Sequence, residues 1–437
     1  MLGNIDSLGK VPELRKRIFF TLLMLAVYRI GVFIPTPGVN TQALMSFFQR
    51  AQGTLFGMIN LFSGGAISRF SVTALGVMPY ISAAIILEVL TVVIPALDQL
   101  KKQGELGRKK ITQYTRYLTV ALAFFQGLGI AYGLEGMRGP GGEVIVLYPG
   151  WGFRIFTALI LATGSTFLMW LGEQITERGI GNGISLLIYA GIVVRLPAAI
   201  GSTIQLMKVG ELSLFTVLFI LILASVVVWF IVFMETAQRR LPVQYARRVV
   251  GRKVYGGTST HLPLKVNTAG VIPPIFASSL LMFPLTVTNF IRTPFTESVK
   301  YYFSPGTFWY EIAYVGLIIF FAYFYTAIQF NPVDVADNLK KWGGYIPGIR
   351  PGNQTAEYID RVLSRITLIG ALYVAAVCVL PTILIKRFNV PFYFGGTSLL
   401  IAVEVALDTM QQIQAHLVSR YYEGFLGKGA RIRGRRY

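Results

Sequence analysis

The run LSLFTVLFILILASVVVWFIVFM (residues 212–234) is apolar almost throughout and carries no charge. The hydrocarbon core of a bilayer takes about 20 mostly apolar residues per helix, so this run predicts a membrane-spanning helix. Nine further runs follow the same pattern and bring the prediction to ten spans. They are residues 18–34, 72–94, 117–134, 155–172, 180–194, 267–289, 312–330, 366–385 and 398–418.

The composition of the whole chain agrees with a polytopic membrane protein. Of its 437 residues, 54% are hydrophobic and 14% are charged, whereas a soluble globular chain is about 25% charged. This excludes a disordered chain, a collagen and an ordinary soluble enzyme. The single Cys378 excludes a disulfide framework and a cysteine-based metal cluster, and His261 and His416 are too far apart for a paired-histidine metal motif.

The basic residues orient the predicted spans. Of the 40 Lys and Arg, 29 lie in the two terminal segments and in every second connection, 10 lie in the alternate connections, and Arg29 lies inside the first span. Because cytosolic loops carry the excess of Lys and Arg, both termini are predicted to be cytosolic. The same asymmetry explains the net charge of +20 without nucleic acid as the main partner. The first span lacks a small-residue cleavage site and is predicted to be retained.

The chain divides into an N-terminal half (residues 1–200) and a C-terminal half (residues 201–437) with five spans each. An odd number of spans per half makes the second half enter from the opposite side, so a structural repeat would be inverted. The halves show no obvious internal identity, so this prediction is geometric. Inverted repeats place the working site at their interface, near mid-membrane. The fold prediction is an all-α membrane protein.

Two features interrupt the apolar pattern. Segment 55–70 is too short to span the membrane and contains Gly64 and Gly65, so it is either a re-entrant external piece or a helix lying on the membrane surface. Proline breaks are expected at Pro79 and at Pro273-Pro274, in the second span of each half. Broken helices at matching positions of two halves are typical of a binding or conducting site.

Carboxylates also lie within predicted spans. Glu88 is seven residues after Ile81, and Glu404 and Asp408 are three and seven residues after Ile401, so each set shares one helix face. Such carboxylates usually face a cavity. The pattern indicates a wet funnel that narrows to an apolar waist. A proton or cation relay, as in an ion-coupled secondary transporter, is the alternative.

The long connections 236–265 and 331–365 are basic and interrupted by Pro and Gly. Loops of this length on a compact membrane protein are usually functional, and basic tips favour anionic lipid, RNA phosphate or an acidic protein surface. Ordinary positive-inside charge accounts for part of this signal. No Gly-x-Ser-x-Gly motif, phosphate-binding glycine loop or His-Glu-x-x-His motif is present, which argues against a membrane protease or an ATPase.

Seven blocks, in order along essentially the whole chain, resemble the SecY family of protein-translocon channel subunits. They are RIGVFIPTPG (29–38), NLFSGGAISRFSVTALGVMPYISA (60–83), GRKKITQYTRY (107–117), LGEQITERGIGNGISLLIYAGIV (171–193), STHLPLKVNTAGVIPPIFASS (259–279), DVADNLKKWGGYIPGIRPG (334–352) and FGGTSLLI (394–401).

The resemblance implies a central hourglass pore closed at its waist by a ring of aliphatic side chains. Such a constriction holds back ions and water by dewetting and makes no hydrogen-bonding demands on a passing polypeptide. It also implies an external plug, within segment 55–70, and a lateral gate between the second and seventh spans. The ring positions are Val77, Ile81, Ile184, Ile188, Ile275 and Ile401; the plug positions include Asn60, Phe62, Ser63, Gly64, Gly65 and Arg69; the polar gate positions are Glu88, Gln126, Asn182 and Ser279.

The resemblance further implies the partners and the compartment. Arg252 and Lys253 at one loop tip, and Arg350 at another, match the docking surface for the SecA motor and the ribosome. SecE-like and SecG-like small membrane subunits, signal sequences, nascent chains and anionic lipids complete the expected partners. The chain is expected to be a passive channel of the bacterial cytoplasmic membrane, with no cofactor and no metal, driven by SecA, the ribosome or the membrane potential.

Three positions depart from the pattern of enterobacterial SecY sequences. Glu88 stands where Gln is typical, Glu404 where an apolar residue is typical, and Val77 where Ile is more usual. Glu404 near the ring predicts a more acidic funnel or a pairing with a partner subunit. The loss of one methylene at Val77 is expected to be mild.

Overall fold

The computed structural model describes residues 12–50, 64–139, 142–194, 196–210, 213–245, 248–250, 253–255, 259–290, 302, 307–388 and 396–427. Its helices are α1 (Pro12–Val32), α2 (Thr41–Arg50), α3 (Met78–Val93), α4 (Pro95–Lys102), α5 (Glu105–Glu135), α6 (Trp151–Arg178), α7 (Gly183–Val193), α8 (Leu196–Val209), α9 (Leu214–Thr236), α10 (Ile272–Phe290), α11 (Phe308–Gln329), α12 (Pro332–Lys341), α13 (Asn353–Phe388) and α14 (Gly396–Gly427). Its strands are β1 (Gln238–Tyr245), β2 (Arg248–Val250), β3 (Lys253–Tyr255), β4 (Ser259–Lys265) and β5 (Gly344–Tyr345).

The predicted proline breaks at Pro79 and Pro273-Pro274 are helix starts instead. Residues 72–77 form turns and α3 begins at Met78, so the predicted span 72–94 is helical only in its later part. Pro79 and Pro273-Pro274 lie in the first turns of α3 and α10, where the missing N–H has no helical partner to lose. A sharper break follows α3, because Pro95 begins α4 at an angle of 100° to it.

The all-α prediction omits a small sheet in the basic connection 236–265. β1 is the central strand of the order β4-β1-β5, and its antiparallel pairing with β4 runs from Gln238↔Lys265 to Gln244↔Ser259. Every second residue of β1 is apolar in its middle part, and Leu241 and Val243 are buried. They pack with Leu339 of α12 and Ile359 of α13. The connection predicted as a basic loop therefore contains a packed antiparallel strand pair.

Other connections also contain helices. The predicted connection 195–211 contains α8, the segment 35–69 contains α2, and α5 begins twelve residues before the predicted span 117–134. Among the described helices, α5, α6, α9, α13 and α11 taken with α12 are long and apolar enough to cross a bilayer, and the bent pair α3–α4 is a sixth candidate. The remaining four spans of the predicted ten stay predictions.

The chain forms two compact units. The N-terminal unit comprises Met1–Thr91, Ala96–Pro197 and Val405–Tyr437, and the C-terminal unit comprises Val92–Pro95 and Ala198–Glu404. In the N-terminal unit, small residues let α5 and α6 approach closely, since a Cβ on Gly127 would lie 3.0 Å from the Ala158 Cα. In the C-terminal unit, α10 packs on α11 through the edge-to-face rings of Phe276 and Phe321.

Candidate functional site

A short bridge anchors the turns that precede α3. The Thr36 amide donates to the Phe70 carbonyl at 2.8 Å, and the Val72 amide donates to the Ile34 carbonyl at 3.0 Å. Phe70 is 1% exposed and has a φ of 45°, a left-handed conformation that is costly for a bulky residue. The chain between α1 and α3 is therefore attached to the end of α1 at residues 70–72.

The described part of the predicted plug contacts α1. Arg29 Nη1 donates to the Gly64 carbonyl at 3.0 Å, and the guanidinium groups of Arg29 and Arg69 lie 5.0 and 4.3 Å from the centre of the Phe33 ring. A Cβ on Gly64 would lie 2.9 Å from the Gly191 Cα, so the two backbones touch. Gly64, Gly65 and Arg69 are in consecutive turns. Asn60, Phe62 and Ser63 lie outside the described residues.

Four predicted ring residues belong to the N-terminal unit. Val77 is 8% exposed and ends the turns before α3, and the Ile81 amide donates to its carbonyl at 3.1 Å. Ile184 and Ile188 lie one turn apart at the start of α7. The Ile184 side chain packs against Gly172 of α6, and Ile188 is 7% exposed. Four aliphatic residues thus stand at the starts of two helices.

The other two predicted ring residues belong to the C-terminal unit. Ile275 lies in the first turn of α10, where its amide donates to the Val271 carbonyl at 3.4 Å. Ile401 of α14 is 1% exposed and is flanked by the buried Leu400 and Val405. Both positions are apolar and lie near the beginning of their helices.

The start of α7 is fixed by a glycine-rich turn. The amide of Ile180 donates to Thr21 Oγ1 of α1 at 3.1 Å, that of Gly181 donates to Gln412 Oε1 of α14 at 2.9 Å, and that of Gly183 donates to Thr176 Oγ1 of α6 at 2.9 Å. Three helices therefore hold the turn that leads to Ile184 and Ile188.

The predicted gate residues differ in their environments. Glu88 and Gln126 are half-buried in α3 and α5. The Asn182 side chain is exposed, and its oxygen accepts from the amides of Ile184 and Ser185, so it is the N-cap of α7. The Ser279 hydroxyl is buried, with no hydrogen-bond partner among the described residues. The sequence analysis did not anticipate the capping role of Asn182.

The predicted docking residues lie in connections that the distribution of Lys and Arg predicts to be cytosolic. Lys253 begins β3 and pairs with Val250 of β2, and Arg252 lies outside the described residues. Arg350 is exposed, and its carbonyl accepts from Thr355 Oγ1 at 2.9 Å, which joins its turn to the start of α13.

An ion pair closes the connection between α5 and α6. Arg154 donates to Glu135 Oε2 at 2.6 Å, and the Gly150 amide donates to Glu135 Oε1 at 2.9 Å. Both residues lie in segment 135–154, between predicted spans, where the hydrogen bond from Arg154 lowers the pKa of the Glu135 carboxyl. The Arg154 guanidinium also lies 4.8 Å from the centre of the Tyr132 ring and 5.1 Å from that of Trp151.

Besides the capping role of Asn182, three further features were not predicted from the sequence. Arg29 was visible as the one charge in the first predicted span, but its partner is a backbone carbonyl that no side-chain pattern reveals. The Phe70 conformation has no local signal. The contact of Glu404 with Gly270, described below, joins residues far apart in the sequence. Among the described residues, no group of three or more His, Cys, Asp and Glu side chains is arranged to hold a metal ion.

These residues define a polytopic helical membrane protein with aliphatic residues at helix starts and a short segment folded against α1. A family model described as SecY matches residues 71–410, and the chain belongs to the SecY family. It is 51% identical to the protein translocase subunit SecY of Escherichia coli K12, over 98% of this chain and 96% of that protein. It is 45% identical to the SecY subunit of Aquifex aeolicus, over 98% and 100%. The resemblance seen in the sequence is confirmed.

Solved structures show the same fold. A structure described as a protein-conducting channel aligns with a TM-score of 0.66 at 19% identity, over 95% of this chain and 97% of that one. Sec61 in a canine ribosome-channel complex aligns with a TM-score of 0.60 at 18% identity, with the same coverage. At these identities the structural likeness concerns the fold alone.

Proposed function

We propose that this protein is a protein-conducting channel. It translocates unfolded secretory polypeptides across the cytoplasmic membrane and releases membrane-protein segments laterally into it. Membership of a family whose relatives are named protein translocase subunits carries the proposal. The channel is not an enzyme, and a partner motor, the ribosome or the membrane potential supplies the energy.

In the proposal, six aliphatic side chains form the waist of an hourglass pore between two inverted five-span halves. Their chemistry supports this role, because all six are aliphatic and Val77, Ile188 and Ile401 are buried. An apolar ring excludes water and ions at rest and yields to a polypeptide without offering it fixed hydrogen bonds. The anchored starts of α3 and α7 would keep four members of the ring at constant depth.

The proposed plug is segment 55–70. The hydrogen bond from Arg29 to Gly64 supports a seated position of this segment against α1. The bridge at residues 70–72 supports a fixed attachment at its C-terminal end. The proposed lateral gate includes Glu88, Gln126, Asn182 and Ser279. The buried Ser279 hydroxyl has no hydrogen-bond partner among the described residues. Such a group would destabilise the closed state and favour exchange with the polar groups of a signal sequence.

The proposed partners are SecE-like and SecG-like subunits, the SecA motor, the ribosome, signal sequences, nascent chains and anionic lipids. The basic connections, which contain Lys253 and Arg350, would face the cytosol together with both termini. The positive charge of these connections supports a ribosome partner, because ribosomal RNA presents phosphate groups.

Site-specific crosslinking of a stalled secretory chain tests the proposed pore. A photoreactive residue placed at Ile81, Ile184, Ile275 or Ile401 should capture the chain. Matched controls are Phe215 and Leu221 of α9, which are 82% and 62% exposed and should capture lipid. Equal capture of the stalled chain at ring and control positions would contradict the pore.

The ion-coupled transporter is the second candidate, favoured only by the carboxylates within the spans. Vesicles that contain the purified protein should show no gradient-driven uptake of small solutes. Uptake that depends on Glu88 or Glu404, without polypeptide translocation, would favour the transporter.

A further inference from the structure

A buried polar turn precedes α10 in the C-terminal unit. Asn267 is 7% exposed, and its amide nitrogen donates to Glu235 Oε1 at 2.7 Å and to the Gly270 carbonyl at 3.3 Å. Its amide oxygen accepts from the Gly270 amide at 3.1 Å. The Tyr373 hydroxyl of α13 donates to the same Glu235 oxygen at 3.3 Å. The turn is thus closed by its own asparagine and tied to α9 and α13.

Helices α11 and α13 also pack closely against this turn. A Cβ on Gly370 of α13 would lie 2.6 Å from the Val266 carbonyl oxygen, and the hydroxyls of Thr268 and Thr326 of α11 are 3.2 Å apart. Ala269 is buried against α11 and α13. The segment that leads into α10 therefore has little room to shift on these sides.

Glu404 of α14 closes another side. Its carboxyl packs against Gly270 so closely that a Cβ at position 270 would lie 3.2 Å from the carboxyl carbon and nearer still to Oε1. Gly270 also has a φ of +64°, so a glycine is required there both by the backbone and by the carboxylate.

This contact lies beside both ring residues of the unit. Ile401 is one helical turn before Glu404 on the same face of α14, and Ile275 is five residues after Gly270 in the first turn of α10. The helix that carries Ile401 therefore contacts the turn that leads into the helix of Ile275, through the Glu404 carboxyl and Gly270. A change at this contact would alter the spacing of Ile275 and Ile401.

We propose that Glu404 is a positioning residue for the resting seal of the pore. Its carboxyl occupies the space beside Gly270, holds the start of α10 against α14 and thereby sets the separation of Ile275 from Ile401. This inference rests on the proposed function of the ring. It assigns an internal partner to a residue that departs from the family pattern, in place of a pairing with another subunit.

The test measures resting ion conductance and polypeptide translocation in proteoliposomes that contain the full chain with its small subunits. Glu404→Ala should raise the resting conductance roughly two- to ten-fold, as expected for the loss of one packed polar contact. Glu404→Gln keeps the shape and should keep the seal. Met410→Ala, at an exposed position of the same helix, is the matched control and should match the wild type.

A double-mutant cycle separates positioning from general destabilisation. Gly270→Ala alone should leak, because its Cβ collides with the Glu404 carboxyl. The double variant Gly270→Ala/Glu404→Ala should show a smaller increase in resting conductance than the combined increases of the two single variants, because the collision is removed. Gly76→Ala controls for backbone strain, because Gly76 has a φ of +60° and no atom within 4 Å of its Cβ position; its effect should combine additively with Glu404→Ala.

Two results would overturn the proposal. One is additive conductance effects of Gly270→Ala and Glu404→Ala. The other is a resting conductance of Glu404→Ala no higher than that of Met410→Ala, in a system where the wild type translocates protein. That result would leave the proposed function intact. A wild-type preparation that conducts no polypeptide at all would refute the proposed function and this inference together.

Discussion

Arg29 in α1 donates a hydrogen bond to the carbonyl oxygen of Gly64 at 3.0 Å. The one charged side chain of the first predicted span therefore binds a backbone group of the proposed plug. A hydrogen bond to a charged group is worth about 1.5–3 kcal/mol, enough to shift an equilibrium between seated and displaced plug by roughly ten-fold or more. The contact suits a segment that is proposed to move, because a single hydrogen bond breaks and re-forms easily.

Removal of this donor should destabilise the seated plug. Arg29→Ala is expected to raise the resting ion conductance of reconstituted channels and to relax the demand for a strong signal sequence. Arg69→Ala should act more weakly, because only its contact with the Phe33 ring, typically about 0.5–1 kcal/mol, is lost. Arg15→Ala, on the exposed side of α1, serves as the control. Wild-type conductance of Arg29→Ala would show that the bond does not hold the plug.

A side chain at position 64 should have a similar effect by a different route. The Cβ of Gly64→Ala would lie 2.9 Å from the Gly191 Cα, and the φ of +63° adds a left-handed strain of about 1–2 kcal/mol. Gly76→Ala has the same strain without the collision. Conductance measurements should therefore rank Gly64→Ala above Gly76→Ala, and the reverse order would contradict the close approach of residues 64 and 191.

The cap of α7 should influence signal selection. Asn182→Leu removes an N-cap, which typically costs about 0.5–2 kcal/mol, at the turn that leads to Ile184 and Ile188. We expect altered export of substrates with weak signal sequences, measured against a strong-signal substrate. Asn182→Asp preserves the cap and should restore normal stringency if capping is the cause. Unchanged export of weak-signal substrates by Asn182→Leu would exclude a gate role for this residue.

The Glu135–Arg154 pair should make stability depend on pH. Because Arg154 lowers the pKa of Glu135 below its ordinary value of 4.5 in the folded protein, the stabilisation is present above that value and is lost as pH falls through the lowered folded pKa. Glu135→Gln should therefore reduce the melting temperature of the purified protein by about 1–2 °C at neutral pH. The difference should shrink as pH falls through the lowered folded pKa, and an equal difference at neutral and acidic pH would refute this assignment.

Substitutions at the basic docking positions of the two connections should affect different partners. Arg350→Glu is expected to impair motor-driven export, because Arg350 is exposed in a turn joined to the start of α13. Charge reversal at Arg252 or Lys253 should weaken ribosome binding more, and that loss should be largest at low ionic strength, because salt weakens phosphate contacts of the wild type. Equal, small effects at all three positions would contradict the separation.

Apolar runs located most helices of this chain because hydropathy is a local property. Prolines were harder to interpret, since Pro79 and Pro273 look the same in sequence whether they kink a helix or begin one. The outcome depends on whether the preceding residues are helical, and residues 72–77 instead form turns anchored to the end of α1. Tertiary contacts decided the question.

Long-range contacts were beyond sequence reasoning for the same reason. Leu241 and Val243 alternate as a strand requires, but their burial depends on α12 and α13, about a hundred residues later. Glu404 was recognised as unusual, yet its neighbour Gly270 is separated from it by four described helices along the chain. A charge within an apolar helix indicates that a partner exists without indicating which one.

The strand pair β1–β4 connects two helices with almost no free chain. β1 begins two residues after α9 ends, and β4 ends seven residues before α10 begins. The eight residues of β1 extend roughly 26 Å at about 3.3 Å each. Because the connections at both ends are short, a displacement of the strand pair near Gln244 and Ser259 would be transmitted to the ends of α9 and α10. If one of the proposed partners docks on the far end, its binding would therefore be transmitted through this strand pair toward the helix that bears Ile275.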